Sequence, residues 1–248
     1  MALSLSKRKR PRLEDKQVAQ KSKTEEEVFD RPTFLSLSKM IEKGIFDTLD
    51  YPICTGKEAN VFRARSKDGF VAVKIYRTTA PVLKRMHKYM EGDTRFKGIM
   101  HNKFEVMKAW ARKEYRNLEL MRAAGCRVPF PIYCDRNILV MEFLGHEGVP
   151  YSTLKDTGSL NPQEDSNLIL KDIAKLHAAG IVHADISEFN ILMDDRGPYL
   201  IDVGQAVLLT HPQAEDFLLH DVENLVKYFS HHGVDADIGE CLKKIRKV

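Results

Sequence analysis

The run His183-Ala184-Asp185-Ile186-Ser187-Glu188-Phe189-Asn190, followed twelve residues later by Asp202-Val203-Gly204, constrains this chain more than any other feature. It spells H-x-D-x-x-x-x-N and then a D-x-G at the end of a strand-like stretch, Ile201 included. In phosphoryl transfer little covalent work falls to the protein. It needs a group that orients the acceptor and groups that hold the cations neutralising the phosphates. Asp185 suits the first task. Asn190 and Asp202 offer hard oxygen ligands for Mg²⁺ or Mn²⁺, ions that keep waters and phosphate oxygens beside few protein groups.

The earlier part of the chain supplies matching pieces. Val71-Ala72-Val73-Lys74 is an apolar strand carrying one lysine, and the phosphotransferase pattern sets such a lysine on the α- and β-phosphates beside a helix glutamate. From Met107 a helical period brings Met107, Ala111, Leu118 and Met121 onto one stripe, and Glu114 lies on that stripe. A buried carboxylate needs a partner. Each piece alone has a plainer explanation: a snorkelling lysine, a locally paired glutamate, a chance D-x-x-x-x-N loop. Their joint order is the signal. His183 reads as a structural imidazole bonded to backbone near Asp202, with a general-base role as the lesser alternative.

The surrounding pattern is that of an α+β chain in two lobes. With 43% hydrophobic and 30% charged residues over 248 positions, the balance is globular. Residues 1–30 lack apolar periodicity and read as a basic, disordered tail. Residues 1–23 carry eight Lys or Arg against Glu14 and Asp15, a net of +6, which suits a phosphate backbone or, through residues 7–12, a nuclear-import address. A helical extension is expected over 31–50, with Thr33 as its cap and Leu35, Leu37, Met40, Ile41 and Ile45 buried. A first, β-rich lobe follows over 51–143. It holds strands from Ala59 to Arg65 and from Phe70 to Tyr76 about an Asp68-Gly69 turn. A flexible insertion is expected over 78–105, where Gly92 and Gly98 interrupt, and a buried strand from Ile138 to Phe143 closes the lobe. Gly145 is the expected hinge to a mostly helical second lobe over 144–248, with helices near 161–179 and 216–229 and a strand pair near 191–193 and 199–201.

Cys54, Cys126, Cys134 and Cys241 form no C-x-x-C pair and read as free thiols of a reducing compartment. No stretch approaches the roughly 18 apolar residues of a membrane span, and the basic start lacks the apolar core of a signal peptide. The expectation is a cytoplasmic protein with no membrane partner.

What is missing narrows the reading. Before the first strand of the hairpin stands Cys54-Thr55-Gly56-Lys57-Glu58-Ala59-Asn60-Val61, where an ordinary protein kinase carries G-x-G-x-x-G. Nor is this a Walker A loop, since Glu58 replaces Ser or Thr. Backbone N–H groups around Gly56 and the charge of Lys57 still suit phosphate. Only 46 residues follow Asp202, with no A-P-E, so the activation segment that holds a peptide has no room.

Thr55-Gly56-Lys57-Glu58-Ala59, the His183 to Asn190 run and Ile201-Asp202-Val203-Gly204-Gln205-Ala206-Val207 resemble the RIO family of atypical serine/threonine protein kinases, in its first type, from about Thr33 onward. Cys54 is a departure, since that loop tends to carry serine there. The resemblance implies ATP beneath Thr55, Gly56, Lys57, Glu58, Ala59 and Val61 and against Lys74. It implies adenine on the backbone of Met141 to Phe143, Asp185 as catalytic aspartate, and Asn190 and Asp202 as Mg²⁺ ligands. It also implies an aspartyl-phosphate on Asp202, and ATP hydrolysis that times release from a maturing small ribosomal subunit. The leading expectation is a kinase and ATPase of pre-ribosomal particles whose basic tail and residues 78–105 contact rRNA. Two other readings stay open: a small-molecule kinase of the aminoglycoside or sugar kind, and an ATP-gated binding module that docks on RNA.

Overall fold

The computed structural model describes residues 30–247. The basic tail falls outside the described residues. Helix α1 (Arg31–Glu42) comes first, followed by β1 (Thr48–Thr55), β2 (Ala59–Ser66) and β3 (Gly69–Tyr76). Next are α2 (Ala80–Met90) and α3 (Lys103–Ala123), then β4 (Pro131–Asp135) and β5 (Ile138–Glu142). The five strands make one antiparallel sheet in the order β1-β2-β3-β5-β4. Beyond it lie the short pair β6 (Gly145–His146) and β7 (Val149–Pro150), α4 (Leu154–Thr157), α5 (Pro162–Ala178), β8 (Ile181–Val182), β9 (Ile191–Asp194), β10 (Gly197–Leu200), β11 (Val207–Leu208), α6 (Ala214–Ser230) and α7 (Ile238–Arg246). The whole is a two-lobed, kinase-like α+β fold.

Strand β3 shows why the sheet sits where it does. Its alternation sends Val71, Val73 and Ile75 into a small core with Leu37, Met40 and Phe46, the face that α1 covers. Ala72, Lys74 and Tyr76 point to the opposite face, and Tyr76 joins the large core built on α3, α5 and α6. Both faces are covered, so the strand reads as a nearly unbroken apolar run in which the lysine is the exception.

Three expectations are corrected. Asp30, not Thr33, caps α1: its carboxylate accepts from Thr33 N at 2.9 Å, while Thr33 lies inside the helix and bonds the buried Asn137 side chain. Leu35 and Ile41 are exposed, because the face that meets the sheet carries Leu37 and Met40 instead. The segment 78–105, expected to be a flexible insertion, holds α2, which ends before Gly92 (φ +76°) and buries Val82, Met86, Tyr89 and Met90 in the large core. Phe96 is buried there too.

Candidate active site

Strand β3 presents Lys74 on the face towards α3, in register with Val61 of β2 and Leu139 of β5. Its Nζ donates to both oxygens of Glu114 (2.8 and 2.9 Å) and to Asp202 Oδ1 (2.8 Å). Burial works against the ammonium charge, yet the Asp202 and Glu114 carboxylates outweigh it and hold the pKa above that of a free lysine. Burial drives the Glu114 carboxyl upward against the pull of Lys74. Asp202 is also driven up by burial, but Lys74 prevails and holds it below the usual carboxylate range. The expected lysine, helix glutamate and D-x-G aspartate therefore meet at one point.

The turn that carries Asp202 is unusual backbone. Asp202 is left-handed (φ 59°, ψ 55°), and a 3-10 turn runs from Val203 to Gln205. Helix α3 holds that turn with two side chains one helical turn apart. Lys113 Nζ donates to Gly204 O at 2.7 Å, and Asn117 Nδ2 donates to Val203 O and Ala206 O at 2.9 and 3.3 Å. Both residues are buried. A Cβ on Gly204 would lie 2.8 Å from Glu114 Oε2 and 3.0 Å from Trp110 Nε1, so the glycine lets the turn approach α3 closely.

The loop from His183 to Asn190 is held in the same way from α6. Asp221, wholly buried, accepts from Ala184 N and Ile186 N, each at 2.8 Å, and Asn224 Nδ2 donates to Ile186 O at 3.0 Å. The clamp supports a left-handed Ala184 (φ 67°). Asp185, half-buried between the two clamped residues, accepts from Asn190 Nδ2 at 2.8 Å. Burial first, then the Asp202 and Glu58 charges, push its carboxyl up to about 6. His183 is buried and its imidazole is held down to about 4 by that burial, so it is neutral at pH 7. The Ile201 backbone, next to Asp202, lies where the expected bond from His183 would fall and pulls its pKa up slightly, although neither ring nitrogen reaches full hydrogen-bond geometry with a described residue.

The remaining expected residues line the approach to this point. Thr55 pairs with Asn60 across a tight turn closed by Gly56 N donating to Ala59 O at 3.0 Å. Lys57 is exposed, Glu58 and Val61 are half-buried and Ala59 is buried. Glu58 lies close enough for its charge to be felt by Asp185 and Glu114. Half-buried Met141 packs against the large core, and Phe143, which is buried, sits 5.8 Å from Phe70 between ring centres. Within Met141 to Phe143, Glu142 N is already taken by Phe130 O at 2.8 Å.

The residues that sequence reasoning missed are the supports: Lys113, Asn117, Asp221, Asn224 and Tyr89. Tyr89 arrives from α2 and packs on Trp110 and Phe217 (6.4 and 5.3 Å between ring centres). Burial and the carboxylates of Asp185 and Glu58 raise its phenol pKa. A signal existed for Asp221, which falls on the same stripe as Leu218, Val222 and Leu225, just as Glu114 falls on its own.

The donor set fits a hard divalent cation. Asp202 Oδ2 and Asn190 Oδ1 take no hydrogen bond from a described residue, and both are oxygens. No group of three or more His, Cys, Asp or Glu suited to a metal occurs among the described residues. No helix among the described residues is long and apolar enough to cross a membrane.

A family model described as the RIO domain matches residues 60–241. The RIO-type serine/threonine-protein kinase Rio1 of Haloferax volcanii is 44% identical over 229 residues, covering 92% of this chain and 78% of that protein. The protein of the same name from Methanocaldococcus jannaschii is 35% identical over 228 residues, covering 90% and 77%. Human serine/threonine-protein kinase RIO1 is 38% identical over 218 residues, covering 85% of this chain but 38% of that longer protein. Among solved structures, the Rio2 kinase-ADP/Mg²⁺-phosphoaspartate complex from Chaetomium thermophilum superposes with a TM-score of 0.65 at 22% identity, covering 85% of this chain and 65% of that one. At that identity the likeness bears on the fold alone.

Proposed function

This chain belongs to the RIO family of atypical serine/threonine protein kinases, in its first type, and from that premise we propose that it is a Mg²⁺-dependent phosphotransferase and ATPase. The observation that carries the reading is Lys74 Nζ donating to both Glu114 and Asp202 within 2.9 Å, beside an aspartate whose pKa is raised to about 6. ATP is the phosphoryl donor. Its triphosphate lies under Thr55, Gly56, Lys57, Glu58, Ala59 and Val61, and its adenine lies against the backbone of Met141 to Phe143. Lys74, kept in place by Glu114, takes the α- and β-phosphates.

When bound at Asn190 and Asp202, Mg²⁺ supplies charge neutralisation for the phosphates. Asp185 accepts the proton of the attacking hydroxyl or water, and its raised pKa leaves it ionised but basic near neutrality. Where Asp202 itself is the acceptor, a carboxylate oxygen bonds to the γ-phosphorus as the bond to the ADP oxygen breaks. Water then releases phosphate and restores the carboxylate. The fungal Rio2 complex is named for a phosphoaspartate, the species that this variant would form on Asp202. Residues 203–213 are all that join the Asp202 turn to α6, a link too short for the platform that seats peptides in ordinary protein kinases, and this favours a switch driven by hydrolysis. The proposed partner is a pre-ribosomal small-subunit particle and its rRNA, on the strength of the family and of the basic tail.

Purified protein incubated with γ-labelled ATP and Mg²⁺ tests this. Free phosphate and protein-bound label are both expected, the label being removed by hydroxylamine. Asp202→Ala is expected to abolish both with an unchanged circular dichroism spectrum. Unchanged turnover in that variant would sink the proposal.

A further inference from the structure

Beside the candidate active site lies a cavity of about 250 Å³ whose wall includes Lys113. Arg95, Lys108, Arg112 and Arg116 line it as well, with Glu105 as the one acidic residue. The compensation of these charges is incomplete. Arg95 is paired with Asp93 at 2.6 Å, and Lys108 reaches Glu105 at 3.4 Å. Arg112 and Arg116 are exposed and make no ion pair among the described residues. Lys113 is wholly buried, and its one hydrogen-bond acceptor among the described residues is Gly204 O, a neutral carbonyl. The Trp110 ring 4.6 Å away supplies some further stabilisation.

A buried ammonium without a carboxylate partner is costly. Burial, and then the charge of Arg95, hold Lys113 down to about 7. With Asp93 and Glu105 set against Arg95 and Lys108, the basic groups of Arg112, Lys113 and Arg116 remain without an acid. Side chains at Lys108, Arg112 and Arg116 stand one helical turn apart. Arginine forks of that kind match the oxygens of a tetrahedral oxyanion.

We propose that this cavity is a phosphate-binding site, separate from the nucleotide cleft, in which Arg112 and Arg116 clasp a phosphate group and Lys113 completes its charge. The group comes either from free phosphate or from the phosphodiester chain of a nucleic acid. Because Lys113 also holds Gly204 O, occupancy bears on the turn that carries Asp202. That last link rests on the kinase reading; the binding itself does not.

Trp110 is the sole tryptophan of the chain and lies against Lys113, so its fluorescence reports on the cavity. Inorganic phosphate titrated into the full chain, with ionic strength held by chloride, is expected to give a saturable change. The double variant Arg112→Ala/Arg116→Ala, which alters only exposed side chains, is expected to weaken binding at least tenfold. Asp202→Ala is expected to leave it intact, which separates this site from the cleft. A response no different from the chloride control, or equal affinity in the double variant, would overturn the proposal. A short single-stranded RNA that displaces phosphate at lower concentration supports the site with a phosphodiester chain as its source. Phosphate binding that the RNA cannot displace supports it with free phosphate. Intact phosphate binding in a protein that turns over no ATP would refute the kinase reading and leave the site standing.

Discussion

Asp185 works in a place that is unfavourable for it. Burial and the charges of Asp202 and Glu58 lift its pKa to about 6, so the folded chain binds its proton more tightly than the unfolded chain does. This group therefore withdraws stability as the pH rises from about 4 through 6, while activity that needs the carboxylate appears over the same interval. The rate of ATP turnover is expected to fall about tenfold per pH unit below 6 and to level off above 7, as a pH-rate profile will show. Asp185→Asn is expected to be inactive and yet to melt at a higher temperature than the parent at pH 7.5. A lower melting temperature would show that the environment favours the charge after all. Burial lifts Asp221 as well, to about 7, against the pull of the two backbone N–H groups that donate to its oxygens. Asp221→Asn replaces one acceptor with a donor facing an N–H, and about 1–3 kcal/mol of stability should be lost in denaturant unfolding. Turnover should fall with the loop it holds.

At the scale of elements, what could be read depended on what each stretch had to bury. The β2–β3 hairpin, α3, α5 and α6 announce themselves because their apolar residues repeat with the period of the structure they form. Strand β1 does not: it lies at the sheet edge, exposes much of its length, and accommodates Pro52 beside register shifts that only an edge strand tolerates. Helix α2 hides its period under charge. Val82, Met86, Tyr89 and Met90 fall at helical spacing, but Lys84, Arg85, His87 and Lys88 between them make the segment look like a solvated loop. Met86→Ala should therefore cost about 2–5 kcal/mol, the range for truncating a buried methionine, measured as a shift in denaturant midpoint. A cost near zero would mean that α2 does not pack as it does here. Lys74, Glu114 and Asp202, which the fold brings together, were legible from spacing. Their supports were not, since Lys113, Asn117 and Asp221 act on backbone 35 or more residues away, which no local pattern displays.

For the whole molecule, charge is divided between a basic tail and a nearly neutral body. Of the formal net charge of +4, residues 1–23 supply +6 and the rest −2. If the tail meets RNA through its phosphates, log affinity against log salt should be steep for the full chain. Deleting residues 1–23 should then flatten it by about 0.7 for each phosphate that the tail neutralised. An identical slope would place the RNA-binding surface elsewhere.

By chain order α2 belongs with the sheet, yet Tyr89 packs on Phe217 of α6, and a Cβ on Gly92 would crowd Pro212 Cδ at 2.9 Å. The two lobes are thus joined through α2 as well as at the strand-to-Gly145 link and by the bonds of Lys74, Lys113 and Asn117 to the Asp202 turn. A body hinged at one link swings freely, whereas one fastened at several must first undo its clasps, and the Tyr89–Phe217 pair is one of them.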